Sequence, residues 1–448
     1  MPRKRNCDSL NTSPVEKGIF KFVDAPPESP YAISASRMKS RMKPHPVYNN
    51  LHLKFTDFQK RTGRQKLPLL HTMQESENYT TLDPRNTTSL PRLLRLNLAL
   101  TEIGDVPPRI DLLTNRGDIN DLAFGFFPRD YNNYFKINHV AYISRGRLFV
   151  WHDQTRCETN FPSLRDRNKW FSGYKFEQAC AYCWPASFDE WGIMPKLESP
   201  YSTSKVPVLN LLELPLDHNV NALFLAEYDV IRKGKGTKTP AWYLELKCIQ
   251  PNASAKITWQ TISKERALKL LIREGMCMRF FKTCIQCKLA GCETVVYGIR
   301  SRDMALVGVR QFQVRELEVR LYQLEPKLYC DYYLKALSNV AELVRTLYQQ
   351  CHENQFYMMT KDAALAPLKV RPVSRDLVLY PEPMLTELDA ILERNENERR
   401  TEPRDYNGTK TKFGFTFAPG TVPEQLIKDE IAEADLADLA EELEAIQI

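Results

Sequence analysis

The 448-residue sequence predicts an α/β fold in which a mixed β-sheet is flanked by helices. Three observations carry that expectation. Short runs rich in β-branched and aromatic residues, bounded by Gly, Lys, Thr and Pro, alternate with longer stretches of helical spacing. Hydrophobic residues make up 43% of the chain, ample material for one large core. Charge is polarised toward the ends: residues 1–66 hold 14 Lys or Arg against 5 Asp or Glu, and residues 421–448 hold 9 acidic residues against one Lys. The chain therefore divides into a mostly flexible basic extension over 1–88, a core domain over 89–366 and a C-terminal extension over 367–448.

In chain order, the extension is expected to hold short ordered pieces near Phe20 and Leu51 that dock on the core. Leu93, Leu94, Leu96, Leu98 and Leu100 begin the structured part. The run from Val140 to Trp151 reads as strand, turn and strand, with Arg145 and Arg147 near the bend. A helix is expected to start near Gln178, with Ser172 or Gly173 by its cap and Glu177 in its first turns. Asn221 to Ile231 and Ala241 to Ile249 read as neighbouring strands, joined into a hairpin by the basic loop 232–240. Residues 263–290 have helical spacing interrupted at Gly275, a residue that costs about 1 kcal/mol against Ala. Strands at Glu293 to Ile299 and Ala305 to Val309, a long helix at Tyr329 to Tyr348 and an acidic amphipathic helix at 424–446 complete the reading.

No apolar run approaches the roughly 18 residues a membrane span needs. The basic start Pro2-Arg3-Lys4-Arg5-Asn6 has no apolar region after it, so an intracellular protein with reduced thiols is expected. Arg3-Lys4-Arg5 suits either a nuclear address or a solvated terminus. The pairs Cys180-x-x-Cys183 and Cys284-x-x-Cys287 have the ligand types of a Cys₄ zinc site, but both lie on expected helices far apart in the chain. The His residues show no paired ligand spacing, and Gly234-Lys235-Gly236 lacks the rest of a phosphate-binding loop.

Strand side chains alternate, so Glu227 and Asp229 point the same way, as do Glu245 and Lys247. If the two strands pair, three carboxylates and one ammonium converge. Burying unpaired carboxylates costs on the order of several kcal/mol each, and a divalent cation is the usual offset. Hard oxygen ligands suit Mg²⁺ or Mn²⁺, and an acidic pair followed by Glu-x-Lys suits metal-assisted hydrolysis of phosphate esters. Taken alone, the motif fits a solvated sheet edge equally well.

Together these stretches resemble the DXO family of decapping exoribonucleases. Gly173-Tyr174-Lys175-Phe176-Glu177 resembles its G-Y-x-x-E motif, Glu227-Tyr228-Asp229 its E-x-D and Glu245-Leu246-Lys247 its E-hydrophobic-K. Arg145-Gly146-Arg147-Leu148 is similar to its R-G-x-L, and Gln286, followed by the run to Gly298-Ile299-Arg300, to its helix Gln and G-x-R strand. The resemblance covers about residues 90–345; Ala226 and Cys248 depart from it, standing where Gly and a small hydroxyl residue are common.

That resemblance implies a nuclease core of the PD-(D/E)xK type. It implies two Mg²⁺ or Mn²⁺ ions held by Glu177, Glu227, Asp229, Glu245 and the Leu246 carbonyl. Lys247 and Gln286 would meet the scissile phosphate or attacking water, and Arg145 a phosphate near the RNA 5′ end. Tyr174 and Trp184 suit either stacking on RNA bases or a place in the core. The implied activity removes incomplete or non-standard caps, NAD caps included, or pyrophosphate, and degrades single-stranded RNA 5′-to-3′. A nuclear exoribonuclease or other protein partner is implied, in the nucleus or also the cytoplasm, with no membrane. The alternative is a non-catalytic relative that binds RNA ends or a chromatin or exonuclease partner.

Overall fold

The runs of period two fold as strands of two sheets. In chain order the elements are β1 (Val15–Val23), β2 (Ser34–Arg37), α1 (Leu51–Thr62), β3 (Leu67–Pro68), α2 (Arg92–Ile103), β4 (Leu112–Asn115), α3 (Arg116–Gly125), β5 (Ile137–Ser144) and β6 (Arg147–His152). Then come α4 (Leu164–Ala181), β7 (Val208–Pro215), β8 (Asn221–Tyr228), β9 (Val230–Arg232), β10 (Trp242–Ile249), α5 (Lys264–Leu271), α6 (Cys277–Ala290), β11 (Thr294–Arg300) and β12 (Ala305–Gln313). The last are α7 (Val314–Leu324), α8 (Ala336–Gln350), β13 (Phe356–Lys361) and β14 (Lys369–Val373). The larger sheet runs β14-β13-β5-β6-β4-β8-β7-β1-β2, the smaller β3-β12-β11-β10-β9.

This computed structural model describes residues 14–23, 34–37, 51–63, 65–69, 92–104, 106–107, 109–128, 136–153, 164–181, 208–232, 242–251, 257–362, 366–378, 390 and 392–393. All fall in the unit Asp8–Pro403. The loop beyond Arg232, Cys183, Trp184, the side chain of Tyr174 and the acidic segment 424–446 lie outside the described residues. No helix among the described residues is long and apolar enough to cross a membrane.

The strands sort their side chains into three cores. Alternate residues of β8 divide cleanly: Ala222, Phe224, Ala226 and Tyr228 enter the central core, Leu223 and Leu225 the core on the other face. The central core also takes Val295, Tyr297 and Ile299 of β11 and the apolar stripe of α6. A third core on the far side of the small sheet holds Leu244 and Leu246 of β10, Phe176, Ala179 and Cys180 of α4, and Leu51 and Phe55 of α1.

Three expectations need correction. Asn221 to Ile231 is not one strand: the chain breaks at Asp229, so that β8 pairs with β7 and β4 in the large sheet while β9 pairs with β10 in the small one. The α4 helix begins at Leu164, and Ser172 and Gly173 lie inside it; the Ser172 hydroxyl is bonded to Lys169 O, one turn back. The long helix starts at Ala336, after a π-turn over Tyr329–Tyr333. The ordered piece expected near Phe20 is strand β1, between β2 and β7; β3 edges the small sheet and β14 the large one. The break expected at Gly275 is present, with Gly275 at φ +84° within a π-turn between α5 and α6.

The ordered piece near Leu51 docks through one side-chain knot. Gln260 Oε1 accepts from Val309 N at 3.1 Å, which turns its amide nitrogen toward His52 Nδ1 at 2.8 Å and Thr56 Oγ1 at 2.9 Å. Nδ1 must then accept, which only a His free of a proton there can do. Burial, then the Arg310 charge, holds the imidazole below its ordinary value of 6.5. Acidification through that value protonates the unfolded chain first, so stability should fall as pH drops from about 7 toward 5. Thermal melts across that range check this; His52→Gln should flatten the slope, and an unchanged slope would place its origin elsewhere.

Candidate active site

Alternation along β10 sends Leu244 and Leu246 into the outer core and turns Tyr243, Glu245, Lys247 and Ile249 toward the central one. Glu245 is fully buried, at 0% exposure. Its carboxylate is ringed by donors: Arg116 Nη1 reaches Oε2 at 2.8 Å, Gln286 Nε2 reaches Oε1 at 2.7 Å, and Lys247 Nζ bonds the same Oε1. Three elements supply these donors, namely the first residue of α3, the last third of α6 and β10 itself.

Burial pushes the Glu245 carboxyl up, but the Arg116 guanidinium and then the Lys247 ammonium outweigh it and hold the group below its ordinary value. The reciprocal holds for the cations. Burial works against Lys247 and Arg116, and Glu245 reverses it, with Asp229 adding to both. The neighbouring thiols go the other way: burial, with Glu245 nearby, pushes the Cys292 and Cys287 thiols up, which leaves them un-ionised and poor nucleophiles.

Asp229 joins this group through the backbone. The β9–β10 ladder ends at the pair Leu244 and Val230, and the next N–H toward that side, that of Leu246, donates to Asp229 Oδ2 at 2.7 Å. The side chain at the break thus takes the place of a strand. Glu245, Lys247, Gln286, Asp229 and the Leu246 backbone are accordingly brought together as expected.

The other expected carboxylates, Glu227 and Glu177, come from β8 and α4. Glu227, half-buried, shares the parity of Leu223 and Leu225 and so the face opposite Tyr228. Glu177, half-buried on α4, adds to the upward push on Cys180 and Cys248, the thiols on the outer-core side of β10. Asp229 acts on Cys180 as well, so it faces both groups of charges. Among the described residues no group of three or more His, Cys, Asp or Glu is gathered closely enough to hold a metal ion. Cys180 lies in the outer core and Cys284 and Cys287 in the central one.

Arg145 is not among the donors to Glu245. It occupies the β5–β6 turn at φ +48°, beside Gly146 at φ +65°, with Glu393 Oε2 at 3.8 Å. The guanidinium at Glu245 is that of Arg116, which the sequence reading passed over. A signal existed: Arg116-Gly117-Asp118-Ile119 repeats the R-G-x-aliphatic pattern, and there it opens a helix.

Hard oxygen donors of the kind a divalent cation takes are present: Asp229 accepts from the amide of Leu246, the residue after Glu245, and both carboxylates act on Arg116 and Lys247.

A mixed sheet that sets Glu-x-Lys on one strand and an Asp at the adjoining bend defines a PD-(D/E)xK-type nuclease core. The chain belongs to the RAI1-like PD-(D/E)XK nuclease family, whose model matches residues 17–382. This bears out the likeness to the DXO family read from the motifs. Among curated proteins, the decapping nuclease RAI1 of Kluyveromyces lactis is 24% identical over 271 residues, 59% of this chain and 65% of that protein. That of Lachancea thermotolerans is 23% identical over 243 residues, 54% and 59%. The chain thus spans less than two thirds of these relatives. Among solved structures, Scheffersomyces stipitis Rai1 in complex with (3′-NADP)⁺ and calcium ion aligns with a TM-score of 0.58 at 17% identity, over 86% of this chain and 96% of that one. Candida albicans Rai1 in complex with pU5-Mn²⁺ gives 0.54 at 15% identity, over 87% and 96%. These two likenesses establish the fold.

Proposed function

We propose that the protein is a metal-dependent hydrolase of RNA 5′ ends, which removes incomplete or non-standard caps, NAD caps included, or pyrophosphate, and degrades the RNA 5′-to-3′. The observation that carries this is the fully buried Glu245, kept ionised by Arg116 and Lys247, with Asp229 bonded to the amide of the next residue, Leu246. So much paired charge in a core is costly and is retained where charge is handled in turnover.

The residues divide the work. Lys247 and Arg116 carry the positive charge that a phosphate placed near Glu245 would meet, and Gln286 supplies an amide to orient water or a phosphate oxygen. Asp229 and Glu245, with Glu177, Glu227 and the Leu246 carbonyl, would hold Mg²⁺ or Mn²⁺. A bound pair of such ions supplies water activation and stabilisation of the leaving oxygen. The family membership and the ligands of the two Rai1 structures, (3′-NADP)⁺ with calcium and pU5 with Mn²⁺, support RNA as substrate and a divalent cation as cofactor. A nuclear location, with the cytoplasm as a second one, and an exoribonuclease partner complete the proposal.

The test is purified protein with 5′-triphosphate, unmethylated-cap and NAD-cap RNAs, with Mg²⁺ or Mn²⁺ and with chelator. Turnover that chelator abolishes and Asp229→Ala lowers by about a hundred- to a thousandfold is expected. Equal product from wild type and variant would refute the assignment, and tight RNA binding without turnover would favour the non-catalytic alternative.

A further inference from the structure

Because β8 and β10 belong to different sheets, no ladder sets the distance between Asp229 and Glu245. Something else must. The residue between Glu227 and Asp229 is Tyr228, which points to the opposite face from Glu227, into the central core. Its ring stacks on Tyr243 of β10 with centroids 3.9 Å apart and planes within 9°. Tyr243 stands two residues before Glu245 on the same strand face. The stack therefore spans the two sheets one residue from Asp229 and two from Glu245.

The hydroxyl end of Tyr228 is fixed as well. It donates to Ala290 O at 2.9 Å, in the last turn of α6, one turn beyond Gln286. It accepts from Asn210 Nδ2 of β7 at 3.2 Å. Asn210 Nδ2 also donates to Glu16 Oε2 of β1 at 3.0 Å, and the Tyr243 hydroxyl lies 3.5 Å from that same oxygen. One phenol thus ties together the ends of β8, β10 and α6, the elements that bring Asp229, Glu245 and Gln286, and β1 closes the outer side.

We infer that Tyr228 is a positioning residue that holds the acidic pair at its working separation across the two sheets, with Glu16 of the N-terminal strand as its outer clamp. It rests on the reading that Asp229 and Glu245 serve one site. The ring is buried and its hydroxyl is taken up by Ala290 O and Asn210 Nδ2, so the assigned role runs through the Asp229–Leu246 contact.

Amide hydrogen exchange at Leu246, measured in the full-length protein, tests this without any activity. In Tyr228→Leu, exchange at Leu246 should rise at least about tenfold relative to Cys248 on the same strand. Tyr228→Phe, which keeps the ring and loses the hydroxyl bonds, should fall between, and Glu16→Ala should raise exchange less than Tyr228→Leu. The control is Leu225→Ala, on β8 but facing the other core, which should lower the melting temperature and leave that ratio unchanged. If Tyr228→Leu shifts the ratio no more than Leu225→Ala, the inference is overturned. With active protein, kcat should fall at least about tenfold in Tyr228→Leu while KM for RNA stays within about twofold. A KM change with kcat intact would also overturn it. Loss of Leu246 protection in a protein without turnover would uphold the positioning role and refute only the hydrolase reading.

Discussion

Glu245→Gln is expected to lower the free energy of unfolding by about 3–5 kcal/mol, the usual consequence of removing one partner of a buried charge pair. Gln matches Glu in shape, so the loss is electrostatic: Arg116 and Lys247 would keep their charges in a core that no longer balances them. Turnover of RNA 5′ ends should fall by at least about a hundredfold in the same variant. The pH dependence has a definite sign. The folded carboxyl lies below its ordinary value of 4.5, so its stabilising contribution is full above that value and is lost as pH falls through the lowered folded value. Urea unfolding should show wild type losing stability below pH 4.5 with a slope that Glu245→Gln lacks. A variant within about 1 kcal/mol of wild type at pH 7 would mean that the two cations find other partners and that Glu245 is not their counter-charge.

Much of this site was legible because it follows from period. Alternation along β10 is enough to put Glu245 and Lys247 on one face, and helical spacing from Ser263 onward is enough to put Gln286 on a helix. The break at Asp229 was not legible. The apolar pattern runs on from β8 into β9 without a Gly or Pro, and what divides the two is a tertiary bond from Leu246 N. Local preference has no access to such a partner.

Arg116 was missed for a different reason. Its motif occurs twice, and the copy at Arg145 is explained by the needs of a two-residue hairpin turn, where Arg145 and Gly146 both take positive φ. The copy at Arg116 has no such local explanation, and that was the usable distinction. The piece expected near Phe20 is strand β1, Val-Glu-Lys-Gly-Ile-Phe-Lys-Phe-Val, whose pairing with β7 buries Ile19 and Phe20.

The second large effect is expected from a single methyl group. A Cβ at Gly298 would lie 2.5 Å from Phe176 Cδ2, 2.6 Å from Cε2 and 2.9 Å from Cγ, closer than real carbon contacts allow. Gly298 is therefore where α4 presses onto β11. The helix cannot simply ride up, since Arg300, two residues on, donates to Lys169 O at 2.5 Å and to the Ser172 hydroxyl, pinning the preceding turns. Gly298→Ala should cost about 1–3 kcal/mol of stability as an overpacked core position. Phe176 is followed directly by Glu177, so the strain falls on the one expected ligand that α4 contributes, and RNA turnover should drop more than stability alone explains. Phe176→Leu removes the flat ring that meets the new methyl. The double variant Gly298→Ala/Phe176→Leu should therefore recover at least about half of the stability lost in Gly298→Ala, a non-additivity of the size seen for residues in direct contact. Chemical unfolding and single-turnover assays on the four proteins of that cycle decide the matter. Strict additivity in both would show that the ring and the glycine do not bear on one another, and that Glu177 is held by something other than this close approach.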